Sequence, residues 1–240
     1  MAGIQSSVRF DMGFGVPGQI ISDAPHEAHA GLIESASAAY NIVGATAFTQ
    51  PRAGGAVAAG GAISSGNPFF GILANPKVYA SFGTSAGGPL AATMTLANEV
   101  EAEFVRRGQM VIKLAAACSI GDLLIFDNTT GVLSTVSPFF AANVTIAVTS
   151  GVATVNSITK GSLGVGTVFL DSSGNKVATV TALGSGTGGT GTYTTDNVAG
   201  VAAADYTGVT VVATGKSAVP NGTIYEFPNT GAGLAIARIG

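Results

Sequence analysis

Residues 68–96, PFFGILANPKVYASFGTSAGGPLAATMTL, are the stretch on which the fold class turns. Two apolar runs, Phe69–Leu73 and Val78–Phe82, flank Asn75–Pro76, a dipeptide that favours turn initiation. A Gly-rich loop containing Pro89 follows, and then a third run, Ala91–Leu96. Phe69, Phe70, Tyr79 and Phe82 gather here in a chain with only 12 Phe, 5 Tyr and no Trp. Aromatic side chains bury the most area per residue, so this concentration marks a core. The runs are short and bounded by turn residues, which is β chemistry.

The same pattern extends in both directions. Downstream, Val100, Ala102 and Phe104 alternate with Glu101, Glu103 and Val105, a period of two that argues for a half-buried strand. Gly108–Gln109 is expected to turn this strand into a second one at Met110–Leu114; a helix over 97–107 is the competing reading, because Glu, Ala and Arg favour helix. Leu123–Asp127 and Val132–Val136 around Asn128-Thr-Thr-Gly131 form a cleaner hairpin. Thr223–Phe227 and Leu234–Ile239 form the last pair. Upstream, Ala30–Glu34 and Ile42–Thr49 are β-like pieces punctuated by turns at Ala53–Gly55 and Gly60–Gly61. Residues 1–25 read as an extended arm: Phe10, Phe14, Val16 and Pro17 lie among Gly13, Gly15 and Gly18 with neither helical nor strand period. Such apolar anchors need a groove, on the same chain or on a neighbour.

No segment has a strong 3.6-residue period, so the expected fold is all-β, a barrel or sandwich core of short strands. Composition shifts near residue 142. From Asn143 to Thr214 the chain is rich in Val, Thr and Gly and contains Gly184-Ser-Gly-Thr-Gly-Gly-Thr-Gly-Thr-Tyr-Thr-Thr195. Residues 143–214 therefore read as a small β-domain inserted in a surface loop of a core made by 26–142 and 215–240, since insertions in loops cost little chain entropy. A continuous single domain is the alternative.

Bulk composition narrows the function classes. Charged residues make up 10% of the 240-residue chain, against about 25% in ordinary soluble domains. Surface charge keeps free monomers apart, so its scarcity points either to a surface covered by partners or to a Ser/Thr-rich β surface. No run reaches the roughly 18 apolar residues of a membrane helix. Arg9 and Asp11 interrupt any leader pattern, which places synthesis in the cytoplasm. Net charge is −3 and the ten basic residues are scattered, which argues against the basic stripe of a nucleic-acid binder.

Several motifs tempt. Gly83-Thr-Ser85-Ala-Gly87 fits the nucleophile elbow, but that elbow needs a following helix and a later histidine. The two histidines, His26 and His29, both precede Ser85. His26-Glu-Ala-His29 lacks the further ligands of a zinc site and reads as solvated surface. Gly184-x-Gly186-x-x-Gly189 matches a dinucleotide fingerprint by letters, yet β-type residues follow where a helix must open; a tight loop between strands is expected. The single cysteine, Cys118, reads as a small buried hydrophobe. Sequons at Asn128, Asn143 and Asn221 carry no weight without a secretory route. No catalytic residue, metal site or cofactor is expected.

Several ordered segments carry a family resemblance. They are Gly13-Phe-Gly-Val-Pro-Gly-Gln-Ile20, Gly71-Ile-Leu-Ala-Asn-Pro-Lys-Val-Tyr-Ala-Ser-Phe-Gly83, Gly88-Pro-Leu-Ala-Ala-Thr93, Ile120-Gly-Asp-Leu-Leu-Ile-Phe-Asp127 with Thr130-Gly-Val-Leu-Ser134, and Ala218-Val-Pro-Asn221. Together they resemble the structural cement, or head-decoration, proteins of tailed bacteriophages, over roughly 1–140 and 215–240. Residues 143–205 separately resemble a small β module common in phage virion proteins. The resemblance implies a non-enzymatic virion protein that docks on the exterior of the major capsid protein lattice, commonly as a homotrimer, and braces the shell. Phe10, Phe14, Val16 and Pro17 are the expected capsid-contacting residues. The rival from another class is a receptor- or carbohydrate-binding virion module of a tail fibre or spike.

Overall fold

Fourteen residues, Glu101–Leu114, form one continuous strand, β5. The expected hairpin at Gly108–Gln109 is absent, and so is the competing helix. The correction has a physical cause that the side-chain faces reveal. Ala102 and Phe104 enter one hydrophobic cluster, whereas Val105, Met110, Ile112 and Leu114 enter another. Between Val105 and Met110 the inward parity switches from odd to even, which requires one extra residue in the strand. The register against β1 (Glu27–Leu32) locates it: Ala28 opposes Val105 and Glu27 opposes Arg107, so Arg106 is skipped. Arg106 and Arg107 are consequently exposed side by side. Gly108 completes the bulge at φ 128°, and a Cβ there would stand 2.7 Å from the His26 Cβ. A glycine that looked like a turn is a bend that carries one strand from one core into the next.

The structure, a computed structural model, describes residues 15–21, 25–75, 94–146, 151–196 and 201–240. Around β5 stand β2 (Ala47–Thr49), β3 (Ala58–Ala59), β4 (Phe69–Leu73), β6 (Leu123–Asp127), β7 (Leu133–Val136), β14 (Lys216–Glu226) and β15 (Gly233–Ile239). Hydrogen bonding follows the order β3-β2-β4-β5-β15-β14-β6-β7, with β1 also on β5. The sheet curls until its ends meet. Leu133 N–H donates to Ala45 O and Ala47 N–H to Gly131 O, each at 2.9 Å, and Thr46 bridges Val132.

Met110, Ile112, Phe126, Leu133, Ile224 and Ala237 fill the space so enclosed. Burying each large apolar side chain contributes roughly 1.5–3 kcal/mol. Phe69 joins this core, while its neighbour Phe70 packs on a second cluster with Phe48, Leu73 and Phe104, as strand alternation requires. Phe104 meets Phe48 and Phe70 edge-on, with ring centroids 4.9 and 5.2 Å apart. Tyr79, Phe82 and the run Val78–Phe82 lie outside the described residues. Of Ala91–Leu96, the described residues 94–96 make a single bridge, Thr95 to Ile42. The expected strand Ile42–Thr49 is correspondingly shortened to β2.

Between β7 and β14 the chain builds a closed barrel. Its strands are β8 (Phe139–Ile146), β9 (Val152–Lys160), β10 (Val168–Leu170), β11 (Lys176–Leu183), β12 (Gly191–Thr195) and β13 (Val201–Val209), in the order β10-β11-β12-β9-β8-β13 with β13 returning to β10. Phe140, Phe169, Tyr193 and Tyr206 centre its core, with Phe169 edge-on to Phe140 at 5.7 Å. The chain enters the barrel beside the point where it leaves. Thr210 N–H donates to Pro138 O at 2.9 Å, and Thr210 Oγ1 to Ser137 O at 2.6 Å. The Gly184–Gly189 run is the loop from β11 to β12, between strands as expected.

Candidate docking surfaces

Of the four arm residues, the structure describes Val16 and Pro17; Phe10 and Phe14 lie outside the described residues. Residues 18–21 are laid along β5 by backbone bonds that need no particular side chain. Gly18 N–H donates to Val111 O at 2.8 Å, Val111 N–H to Gln19 O at 2.9 Å and Ile21 N–H to Gln109 O at 2.9 Å. Asn75 N–H adds a bond to Gly18 O at 2.9 Å, and Ile20 packs against the main core. The groove that the arm was expected to need is thus supplied, for residues 18–21, by the chain's own β5. Val16 remains 52% exposed just upstream, and Pro17 is half-buried.

Among the described residues, large exposed apolar side chains elsewhere are Leu32 on β1, Val165 in the barrel, the pair Phe139 and Val209, and Ile120, Tyr225 and Phe227. Phe139 and Val209 are directly opposed on β8 and β13 and both face solvent. Ile120, Tyr225 and Phe227 come from two facing segments. Cys118 and Asn229 exchange both backbone bonds, and Gly121 N–H donates to Ile224 O at 2.8 Å while Ile224 N–H donates to Asp122 O at 2.9 Å. Residues 119–120 and 225–228 are held across from each other within that frame. Phe227 sits at φ 56°, unusual for a bulky residue, and the register skips Tyr225 between Ile224↔Ala237 and Glu226↔Ile236. The bulge leaves Glu226 exposed, where simple alternation from buried Ile224 would hide it. Ile120 was missed because it ends an apolar run that includes buried Cys118. Beside it an open groove of about 610 Å³ runs between sheet and barrel, lined by Ile120, Asp122, Thr135, Pro138, Lys160 and Gly161 among others.

The electrostatics of these surfaces are sparse. His29 Nε2 lies 2.7 Å from Glu27 Oε1, both exposed, and the hydrogen bond from His29 holds the Glu27 carboxyl below its usual range. Burial pushes the Asp127 carboxyl up, but the Thr130 and Thr129 N–H groups outweigh it, and its pKa ends below the ordinary value. Asp196 accepts from Thr179 N–H at 2.6 Å and from Lys176 Nζ at 2.9 Å, which together bring its pKa down to about 2. These carboxylates cap turns and tie strands. Among the described residues no group of three His, Cys, Asp or Glu side chains is placed to hold a metal ion. Cys118 is 5% exposed within the main core, as its sequence context indicated. Ser85 lies outside the described residues.

The sequence-family model described as "Structural cement protein (E217 gp24/Pam3 gp6)" matches residues 4–166, more than half of the chain. That span begins in the arm and ends within the barrel, after β9. No curated protein matches the chain.

Proposed function

The chain belongs to the phage structural cement protein family, and from that premise we propose that it is a non-enzymatic decoration protein, docking as a homotrimer on the outer surface of the major capsid protein lattice. Membership gives a structural role in the phage capsid; the docking partner, the outer location and the oligomer are the further steps. The match over residues 4–166 supports the reading most directly, because it takes the arm into the family pattern together with strands β1 to β9.

Cementing is differential binding. A subunit with affinity only for the assembled lattice stabilises that lattice by mass action, by about 2.7 kcal/mol at a hundredfold excess over Kd. Three linked copies, each with its own contact, convert weak contacts into long retention. The arm is the proposed capsid contact, through Phe10, Phe14, Val16 and Pro17. Its downstream residues 18–21 are bonded to β5, so lattice contacts upstream would be transmitted to the sheet without a loose joint. The barrel is proposed as an inserted unit, which composition bounded at 143–214, carried on the neighbouring strands at Ser137–Pro138 and Thr210.

The test is removal of residues 1–14, a cut that leaves every bond from Gly18 to Ile21 intact. Decorated shells lose the truncated protein on dilution, while its melting temperature stays within a degree or two of the parent. Undiminished retention removes the arm from the docking surface.

A further inference from the structure

We propose that Asn221–Gly222, on β14, is a site of spontaneous covalent modification, at which the Asn221 side-chain amide is lost as ammonia and aspartate or isoaspartate takes its place. It is independent of the docking function proposed above, since the reaction needs only water.

The dipeptide supplies the chemistry. Asparagine is thermolabile, and its loss of ammonia needs the backbone nitrogen of the next residue to reach the side-chain Cγ. A glycine in that place has no side chain to obstruct the approach. Asn221 alone of the chain's asparagines is followed by Gly. Most of the others precede Pro, which has no N–H to lose, or a β-branched residue that crowds the attack.

The fold presents the pair to water. Asn221 is exposed. Strand β14 pairs with β6 at Ala218↔Ile125 and next at Thr223↔Leu123, so residues 219–222 bulge out opposite Leu124, and the register with β15 starts at Thr223. Neither Asn221 nor Gly222 therefore has a partner in the register of either neighbour. The bulge also explains why these two residue types stand here. Asn221 has φ 49°, a left-handed conformation that Asn tolerates better than most residues. Gly222 is buried, and a Cβ there would stand 2.7 Å from the Val219 Cβ. Asn156, also exposed and followed by the small Ser157, differs in that its Nδ2 donates to Asn143 Oδ1 and Thr145 Oγ1, each at 3.0 Å.

The atoms balance with water alone. The Gly222 nitrogen gives its proton to hydroxide and bonds to Asn221 Cγ; the Cγ–Nδ2 bond breaks, ammonia leaves and a succinimide closes. Water then opens the ring at Cγ to give aspartate, or at the Asn221 backbone carbonyl to give isoaspartate. Nothing is oxidised or reduced. Each event makes the net charge of −3 one unit more negative. Isoaspartate also lengthens β14 by a methylene between Val219 and Ile224, both of which belong to the main core.

The experiment incubates the purified full chain for days in mildly alkaline buffer, with storage in mildly acidic buffer as the control. The products are resolved by charge and mapped by peptide mass. An acidic species should form tenfold or more faster in the alkaline sample. The amide-to-acid mass gain should fall in the peptide holding Asn221, split between aspartate and isoaspartate. Asn221→Gln should slow its formation tenfold or more, because the longer side chain must close a larger ring. Since Gln in the left-handed conformation can disturb the bulge, a second reading stays within the wild type. Asn221 should be converted at least tenfold more than Asn156, and its conversion in the native chain should stay within tenfold of that in urea. A native chain that keeps its charge, a mass gain centred on other asparagines, undiminished conversion in folded Asn221→Gln, or conversion seen in urea alone overturns the inference.

Discussion

Gly108 shows how much one residue decides. It has φ 128°, and a Cβ added there would stand 2.7 Å from the His26 Cβ, so a side chain meets both backbone strain and a steric clash. Gly108→Val should lower stability by about 1–3 kcal/mol, read as a drop in melting temperature. Wild-type stability in Gly108→Val would mean that the bulge is not where the strand bends. Tyr193 plays the corresponding part in the barrel. Its ring is fully buried, its hydroxyl donates to Gly189 O at 2.8 Å and accepts from Gly188 N–H at 3.0 Å. Gly186 lies flat against the ring, where any Cβ would collide with it. Tyr193→Phe removes both bonds and leaves those loop groups without their partner, at a cost of about 1–3 kcal/mol. Chemical denaturation of the two proteins checks it. The run of glycines in 184–189 was legible as a loop from its letters; its dependence on Tyr193 was not, because the ring arrives only once β12 pairs with β9.

At the scale of elements, β11 and β12 are tied by Asp196, which accepts from Thr179 and Lys176. The folded pKa of about 2 lies below the roughly 3.9 of an unfolded aspartate. A depressed folded value means that the stabilisation is complete above the unfolded pKa and disappears as pH falls through the folded one. Asp196→Asn should therefore melt below the wild type at pH 7, and the gap should close between about pH 4 and pH 2. A gap that is unchanged at pH 2 assigns the effect to something other than the carboxylate charge. Strand pairs within short sequence distance were the legible elements: β6 with β7, and β14 with β15, appear where alternation and turn residues put them. β5 was misread because a bulge glycine and a turn glycine look alike in sequence, and only the partners β1 and β15 distinguish them.

For the whole molecule, the paired strands at Ser137–Pro138 and Thr210 predict that the barrel is energetically separable. Residues 137–211 expressed alone should melt cooperatively, and the remainder, joined by a short Gly/Ser linker, should retain its sheet spectrum. Loss of cooperative melting in both pieces would show that the seam groove beside Ile120 is a working interface between them. The core of each part draws on its own strands, which is the basis of this expectation.

From the sequence alone followed the all-β class, which depends on local alternation and turn chemistry, and the family resemblance, which rests on several short ordered segments. Tertiary structure alone decided that β5 is one bent strand and that residues 18–21 lie on their own sheet. Each of those depends on pairing between residues distant in the chain, and a hydrogen bond to a distant backbone leaves no mark on the letters at either end.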